Sequence, residues 1–344
     1  FPQIFLTSIS ILALVMIVFD SSSRFKLKKF DTLSIQALKI SLLFLVLNIL
    51  VLSIFVDILF KIESIFMVIL FSALMSGTDP AAILSMLENS RNKILDILRI
   101  ESLVNTPLVV LLPFIILDFS QTLEPGLVLS KFIDQIAPFL QQFVAGIGSG
   151  VLVGIITLKF MKREYSQILS PLVMITSALV AYILAENLGG NGVLAVTTMG
   201  LIFGNVYLKQ KVRLQEFSSI FSNSLEILVF VLIGLVIKLD FNIGFIFLSL
   251  LLFFIYLMIR FIAIDFSIRS LQLTLKEKFF ITLNTQKGIA VAVVAFTLTN
   301  FNIEGIDVVL NLIIAFMLYS IITSTITIRL SKFFIKKEAT EQNV

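Results

Sequence analysis

Hydrophobic and polar positions separate along this chain into long blocks. Apolar stretches of at least ~18 residues, enough for a helix to cross ~30 Å of hydrocarbon, recur from end to end. Eleven spans are predicted, at approximately residues 1–20, 33–56, 62–88, 97–118, 133–160, 167–185, 190–208, 219–238, 241–264, 277–299 and 305–330, with ends good to a few residues. Two carry interruptions: Asp79 and Pro80 divide the third, and Pro107 and Pro113 sit inside the fourth. Other breaks, such as Glu186–Gly189 and Asn300–Glu304, are short and leave no room for a soluble domain. The pattern predicts an all-α polytopic membrane protein of about eleven transmembrane helices, a single membrane domain over 1–344.

Composition agrees. The chain is 58% hydrophobic and 14% charged, with a mean hydropathy of +1.07, whereas soluble domains run near half apolar and a quarter charged. Cysteine and histidine are both absent. That excludes disulfides, thiolate chemistry, the usual zinc ligands and a Ser/His relay, and a redox or hydrolytic membrane enzyme finds little support.

The net charge of +4 does not indicate nucleic acid, because the basic residues fall in short clusters between apolar runs. The connections after spans 1, 3, 5, 7 and 9, with the C-terminal tail, hold 21 of the 26 Lys and Arg residues, Arg260 included. The other connections hold only Lys61, Lys131 and Lys238, with Lys39 and Lys287 inside spans. A wrong helix count would scramble this alternation, so the asymmetry supports the count and predicts a cytoplasmic tail with Phe1 outside. The chain opens on Phe1 directly into an apolar helix, without a basic n-region or a small-residue cleavage site, and reads as truncated rather than processed.

Ionisable groups within such spans are costly and usually mark function. In Ser76-Gly77-Thr78-Asp79-Pro80, proline removes a backbone donor and Gly77 loosens the chain before it, so the helix is expected to open with Asp79 in the opening. The plainer alternative is a loop between two short helices with Asp79 as an N-cap. In Glu101-Ser102-Leu103-Val104-Asn105-Thr106-Pro107, Glu101 and Asn105 are i,i+4 neighbours, as are Ser102 and Thr106. That stripe offers oxygen ligands suited to a hard cation; interhelical hydrogen bonding, with Glu101 at the interface beside Arg99, is the alternative. In Asn284-Thr285-Gln286-Lys287-Gly288, Lys287 lies roughly 15 Å along a helix from the cluster at Lys276 and Lys278, too far to snorkel. It needs an acidic partner in the bundle, and Glu101 is the candidate.

Taken in order, Gly77-Thr78-Asp79-Pro80, Glu101-Ser102 with Asn105, Gly190-Asn191-Gly192-Val193-Leu194-Ala195-Val196 with Gly200-Leu201 and Gly204-Asn205, and Lys287-Gly288 resemble the NhaP-type cation:proton antiporters, relatives of the eukaryotic sodium/proton exchangers. The resemblance covers nearly the whole chain. It implies an inverted-repeat antiporter fold in which two broken helices cross near the midplane. Core helices would then lie at about 33–118 and 241–330, and dimerisation helices at about 1–20 and 133–238. The family's first two helices would be missing. It also implies a homodimer in the cytoplasmic membrane and no resident cofactor, since sodium (or lithium) and protons are cargo.

Carried over residue by residue, Asp79 would hold either a proton or the cation, with the Thr78 backbone as a further ligand and Ser102 offering a hydroxyl. Asn105 matches the asparagine that braces the broken helix, and Glu101 with Lys287 matches a buried acid and base. The chain departs from the pattern twice: Thr106 stands where the family usually has aspartate, and Lys287 where arginine is common. Either Asp79 acts alone, with hydroxyl, amide and backbone oxygens completing the shell, or exchange is lost. The lysine keeps the charge but not the bidentate fork. Competition of one proton with one monovalent cation at Asp79 predicts electroneutral exchange. A potassium/proton antiporter or potassium-efflux component of the same fold is the alternative within the class, and a non-transporting scaffold or sensor the alternative outside it.

Other polar features have structural readings. Glu226 with Asn223 reads as an interfacial helix start, with lining of a cytoplasmic funnel as the alternative, Glu186 as a solvated cap, and glycines 146, 148, 150 and 154 as sites of close helix packing.

Overall fold

Backbone in hydrocarbon must satisfy its own hydrogen bonds, and the apolar blocks do so as helices. The computed structural model describes residues 3–25, 32–79, 93–122, 129–163, 166–208, 210–236, 242–271, 273–298 and 305–334. The helices are α1 (Gln3–Arg24), α2 (Thr32–Leu47), a π-helical turn (Asn48–Leu52), α3 (Ser53–Phe60), α4 (Ile65–Leu74), α5 (Lys93–Thr122), α6 (Leu129–Arg163) and α7 (Leu169–Asn187). They continue with α8 (Gly192–Asn205), α9 (Lys211–Val236), α10 (Ile243–Ser267), α11 (Leu275–Leu283), α12 (Ile289–Leu298), α13 (Ile306–Arg329) and α14 (Ser331–Phe334). Every predicted span meets a helical segment. Among the described residues six helical runs are long and apolar enough to cross a membrane.

Three details differ from the sequence reading. The helix α5 passes through both Pro107 and Pro113. The helix α9 begins at Lys211, so Asn223 and Glu226 lie inside it and not at its start. Between α2 and α3 the helix widens into a π turn at Asn48, a position with no proline or glycine to announce it.

The chain divides into two compact units. The first comprises Phe1–Lys29, Thr106–Ile237 and Ala292–Phe301; the second comprises Phe30–Asn105, Lys238–Val291 and Asn302–Val344.

In the first unit, small residues let helices close on one another. A Cβ on Gly146 would stand 2.8 Å from the Asn191 carbonyl oxygen, and one on Gly150 would run into the Ala195 carbonyl. Gly200 meets Ser22 and the Phe19 carbonyl in the same way. These are the close approaches expected where lipid supplies no hydrophobic drive and packing must hold the bundle. Gly154 makes ordinary contacts and Gly148 faces open space, so only part of the spaced set is at the interface. Exposed Glu186 accepts a bond from the Gly192 amide at 2.8 Å, and Asn191 caps α8 through the Leu194 amide at 3.0 Å.

In the second unit, Ile40, Ile97, Leu98, Ile264, Ile268, Phe280 and Ile281 belong to one buried cluster. A second group, of rings, joins Phe44, Phe71, Phe253, Tyr256 and Phe316.

Candidate functional site

The contacts of the candidate site lie within the second unit, where α4 ends and where α11 gives way to α12. The last turn of α4 tightens, with the Ser76 amide on the Ala73 carbonyl at 3.1 Å and the Gly77 amide on the Leu74 carbonyl at 3.2 Å. The chain then leaves the helix through Thr78 and Asp79; Pro80 lies outside the described residues. In the second break, α11 ends at Leu283 and α12 begins at Ile289, leaving Asn284–Gly288 non-helical. The two open segments meet: the Asp79 amide donates to the Gln286 carbonyl at 2.7 Å. The Asp79 side chain packs directly on Gly288, where a Cβ would collide with the carboxyl group. Glycine is required there for space.

Opened helix ends leave carbonyls without partners, and Lys287 supplies them. Its ammonium donates to the Met75 carbonyl, to the Gly77 carbonyl at 2.8 Å and to the Tyr256 hydroxyl at 2.7 Å. It also lies 4.4 Å from the centroid of the Tyr256 ring. An ammonium has three protons, and these three bonds use them all. The cation sits at the C-terminal end of α4, where the helix dipole favours positive charge. On the other side of the break, the Lys287 amide donates to the Ser320 hydroxyl of α13 at 3.1 Å.

A second polar group adjoins the first through Thr78. Its hydroxyl donates to Glu101 at 3.3 Å and accepts from the Asn105 amide nitrogen at 2.8 Å. The Asn105 side-chain oxygen is buried and makes no hydrogen bond among the described residues. Glu101 is held by Arg260 of α10 through two bonds, of 2.8 and 3.2 Å, and both side chains are essentially sealed, at 1% and 0% exposure. The Arg260 guanidinium also stacks 5.0 Å from the centre of the Phe44 ring. This planar, bidentate arrangement favours arginine over lysine.

The expected Glu101–Lys287 pair is therefore not what forms. Glu101 pairs with Arg260, and Lys287 turns to backbone carbonyls and a phenol. Arg260, counted above with the basic connections, is a buried residue inside α10. The structure joins Thr78, Glu101 and Asn105 in one network, and Asp79 to the Lys287 segment. Ser102 is half-buried one position beyond Glu101. The Thr106 side chain lies outside the described residues.

Sequence reasoning missed Arg260 and Tyr256. A signal existed: Phe253-Phe254-Ile255-Tyr256-Leu257-Met258-Ile259-Arg260-Phe261-Ile262 is apolar on both sides of the arginine, and Tyr256 is one turn before it on the same face.

The chain is similar to known proteins at every level. It is 28% identical over 177 residues to the low-affinity Na+/H+ antiporter NhaS1 of Synechocystis, covering 47% of this chain and 32% of that protein. It is 31% identical over 182 residues to sodium/hydrogen exchanger 2 of Oryctolagus cuniculus, 48% of this chain and 21% of the relative. The matching stretches thus span between about a fifth and a third of these relatives. The fold matches the sodium proton antiporter MjNhaP1 of Methanocaldococcus jannaschii with a TM-score of 0.73 at 17% identity, over 97% of this chain and 87% of that one. An open segment after α4 that meets the non-helical break between α11 and α12, on an all-helical fold, agrees with a family profile, "Sodium/hydrogen exchanger, transmembrane", that matches residues 2–332; the chain is a multi-pass membrane protein belonging to the sodium/hydrogen exchanger family.

Proposed function

We propose that this protein exchanges a monovalent cation, sodium or lithium, for a proton, with Asp79 as the group for which the two compete. The observation that carries the reading is the bond between the Asp79 amide and the Gln286 carbonyl, which sets the carboxyl group where two opened helices meet. A carboxylate there is neutralised by one occupant at a time, so binding of either expels the other. Thr78, Ser102, Asn105 and Thr106 would supply the neutral oxygen ligands, a reading supported by the buried Asn105 side-chain oxygen, which makes no hydrogen bond among the described residues. Hydroxyl and amide oxygens then do the work that a second carboxylate at position 106 would share.

Glu101 and Arg260 serve as a fixed brace beneath Thr78, and Lys287 neutralises the end of α4. The core would be the helices at about 33–118 and 241–330, moving against the helices at about 1–20 and 133–238 in a homodimer. The alternation of basic residues supports a cytoplasmic C-terminus in the cell membrane.

Proton flux driven by sodium, lithium or potassium in everted vesicles tests the reading. Asp79→Asn abolishes flux in a protein that still folds, and Thr106→Asp retains exchange with an altered cation preference. Lowering the pH on the cation side raises the apparent KM for sodium without changing the maximal rate, as competition requires. An imposed membrane voltage leaves the rate unchanged if one charge is traded for one. Wild-type flux in Asp79→Asn would sink the assignment, and flux driven by potassium alone would move it to the potassium exchanger. No cation-dependent flux at all would favour a scaffold or sensor.

A further inference from the structure

Serine hydroxyls in helices ordinarily rest on a carbonyl one turn back. Ser41 and Ser76 do so here, on Ala37 at 3.0 Å and on Ala73 at 2.6 Å, and Ser53 does so on Ile49. Ser53 has a particular reason. Its amide reaches one residue further back, to the Asn48 carbonyl, which makes the π turn; its hydroxyl then takes the Ile49 carbonyl that the amide would hold in an α-helix. That carbonyl is provided for, but the Asn48 side chain is not. Asn48 is fully buried, and neither its oxygen nor its nitrogen makes a hydrogen bond among the described residues. The π turn packs on α4, where fully buried Ser72 departs from the other serines: its hydroxyl makes no hydrogen bond among the described residues either.

We infer that internal water is bound in the seam between the π turn and α4, with the Asn48 carboxamide as its principal site and the Ser72 hydroxyl as a second. The inference is independent of the role of Asp79.

A buried carboxamide without bonds is too costly to be kept for packing, since leucine would fill much the same space. What the two atoms need identifies the ligand. They set an acceptor oxygen beside a donor nitrogen. A monovalent cation would suit the oxygen and leave N–H groups aimed at a positive charge, and an anion would do the reverse. Water donates to the one and accepts from the other, and internal waters of this kind make about three hydrogen bonds.

The place of the seam gives the water a use. The helices α3 and α4 pack on each other after the turn at 61–64, and Asn48 lies twelve residues before Phe60 as Gly77 lies twelve after Ile65. The π turn is therefore at about the depth of the open end of α4. Water-bridged contacts re-form after one helix shifts along another, whereas interdigitated side chains must first disengage.

The test is radiolytic labelling of the detergent-purified protein, in which a millisecond X-ray pulse turns bound water into hydroxyl radicals that oxidise the side chains touching it. Phe44 and Leu52, one turn either side of Asn48, and Phe71, beside Ser72, are fully buried; so are Ile264 and Leu98 of the apolar cluster. The first three are oxidised and the last two are not. Asn48→Leu loses the label at Phe44 and Leu52 and keeps it at Phe71, and Ser72→Ala loses it at Phe71. Wild-type protein in which Phe44 and Leu52 stay at the level of Ile264 overturns the inference. A folded Asn48→Leu that keeps their label overturns it too, because solvent reaching them from outside would then be the source. If Asn48→Leu does not fold, brief mixing of the wild type with oxygen-18 water before the pulse decides. Bound water delays the heavy isotope at Leu52 relative to exposed Tyr207, and its simultaneous arrival at both removes the site.

Discussion

The two units of this chain solve the same membrane problem in opposite ways. The described helices of the first unit close on one another at glycines, and polar side chains bind carbonyls near helix ends, such as Asn205 on the Phe25 carbonyl and Gln215 on the Ser23 carbonyl. The second ends α4 in an open segment, interrupts the chain between α11 and α12, and buries Glu101, Arg260 and Lys287, the last on carbonyls that the end of α4 exposes. Backbone that is not helical is tolerated in hydrocarbon only where protein or water meets its hydrogen bonds. The second unit thus gathers fully buried charge where helices end, whereas the charge of the first, in the Asp20–Arg24 pair and at Lys211 on the Gly204 carbonyl, is at most partly buried.

Substitutions that remove one charge from the second unit sharpen that contrast most. Glu101→Gln leaves Arg260 buried without its counter-charge and lowers stability by about 3–5 kcal/mol, read from thermal unfolding in detergent. The double variant Glu101→Leu with Arg260→Met recovers most of that stability, because two apolar side chains replace a costly pair. If the double variant is as unstable as the single one, the brace contributes more than its own compensation.

A smaller loss of stability with a large loss of transport is expected at Gly288. The added methyl of Gly288→Ala displaces the Asp79 carboxyl group, and vesicle flux falls on the order of 100-fold, the scale set by misplacing a reacting group by about 1 Å. Normal flux in this variant would show that the carboxyl group has room to move aside.

In the first unit, volume at the glycine contacts is the sensitive quantity. Gly150→Ala overpacks against α8 and costs about 1–3 kcal/mol. Gly148→Ala, facing open space on the same helix, is neutral or stabilising by about 0.5–1 kcal/mol. Equal melting temperatures for the two would break the packing account. The smallest effect is at Glu186→Gln, which keeps an oxygen for the Gly192 amide and shifts stability by only a few tenths of a kcal/mol.

Much of this organisation is legible in the residue order because its causes are local. A proline after aspartate and a Gly77 before them open α4, and a polar run from Asn284 to Gly288 interrupts an apolar span; both breaks lie where the chain chemistry puts them. The use of Gly146 and Gly150 at i,i+4 is also local, although their neighbour Gly148 shows that spacing alone does not say which glycines face a partner. The π turn at Asn48 has no comparable local signal, since nothing in Leu47-Asn48-Ile49-Leu50 distinguishes it from ordinary helix.

Pairing was not legible. Lys287 has several acids and carbonyls within the chain's reach, and choosing among them depends on which helices stand side by side. Arg260 lies 159 positions from Glu101. Residue order by itself determined the membrane helices, the two interruptions and the presence of uncompensated charge, because hydrophobic length and backbone chemistry act over a few residues. Only the tertiary structure decided that arginine takes the glutamate and lysine the open carbonyls, because a buried charge is satisfied by distance and geometry between elements, and those are set by packing.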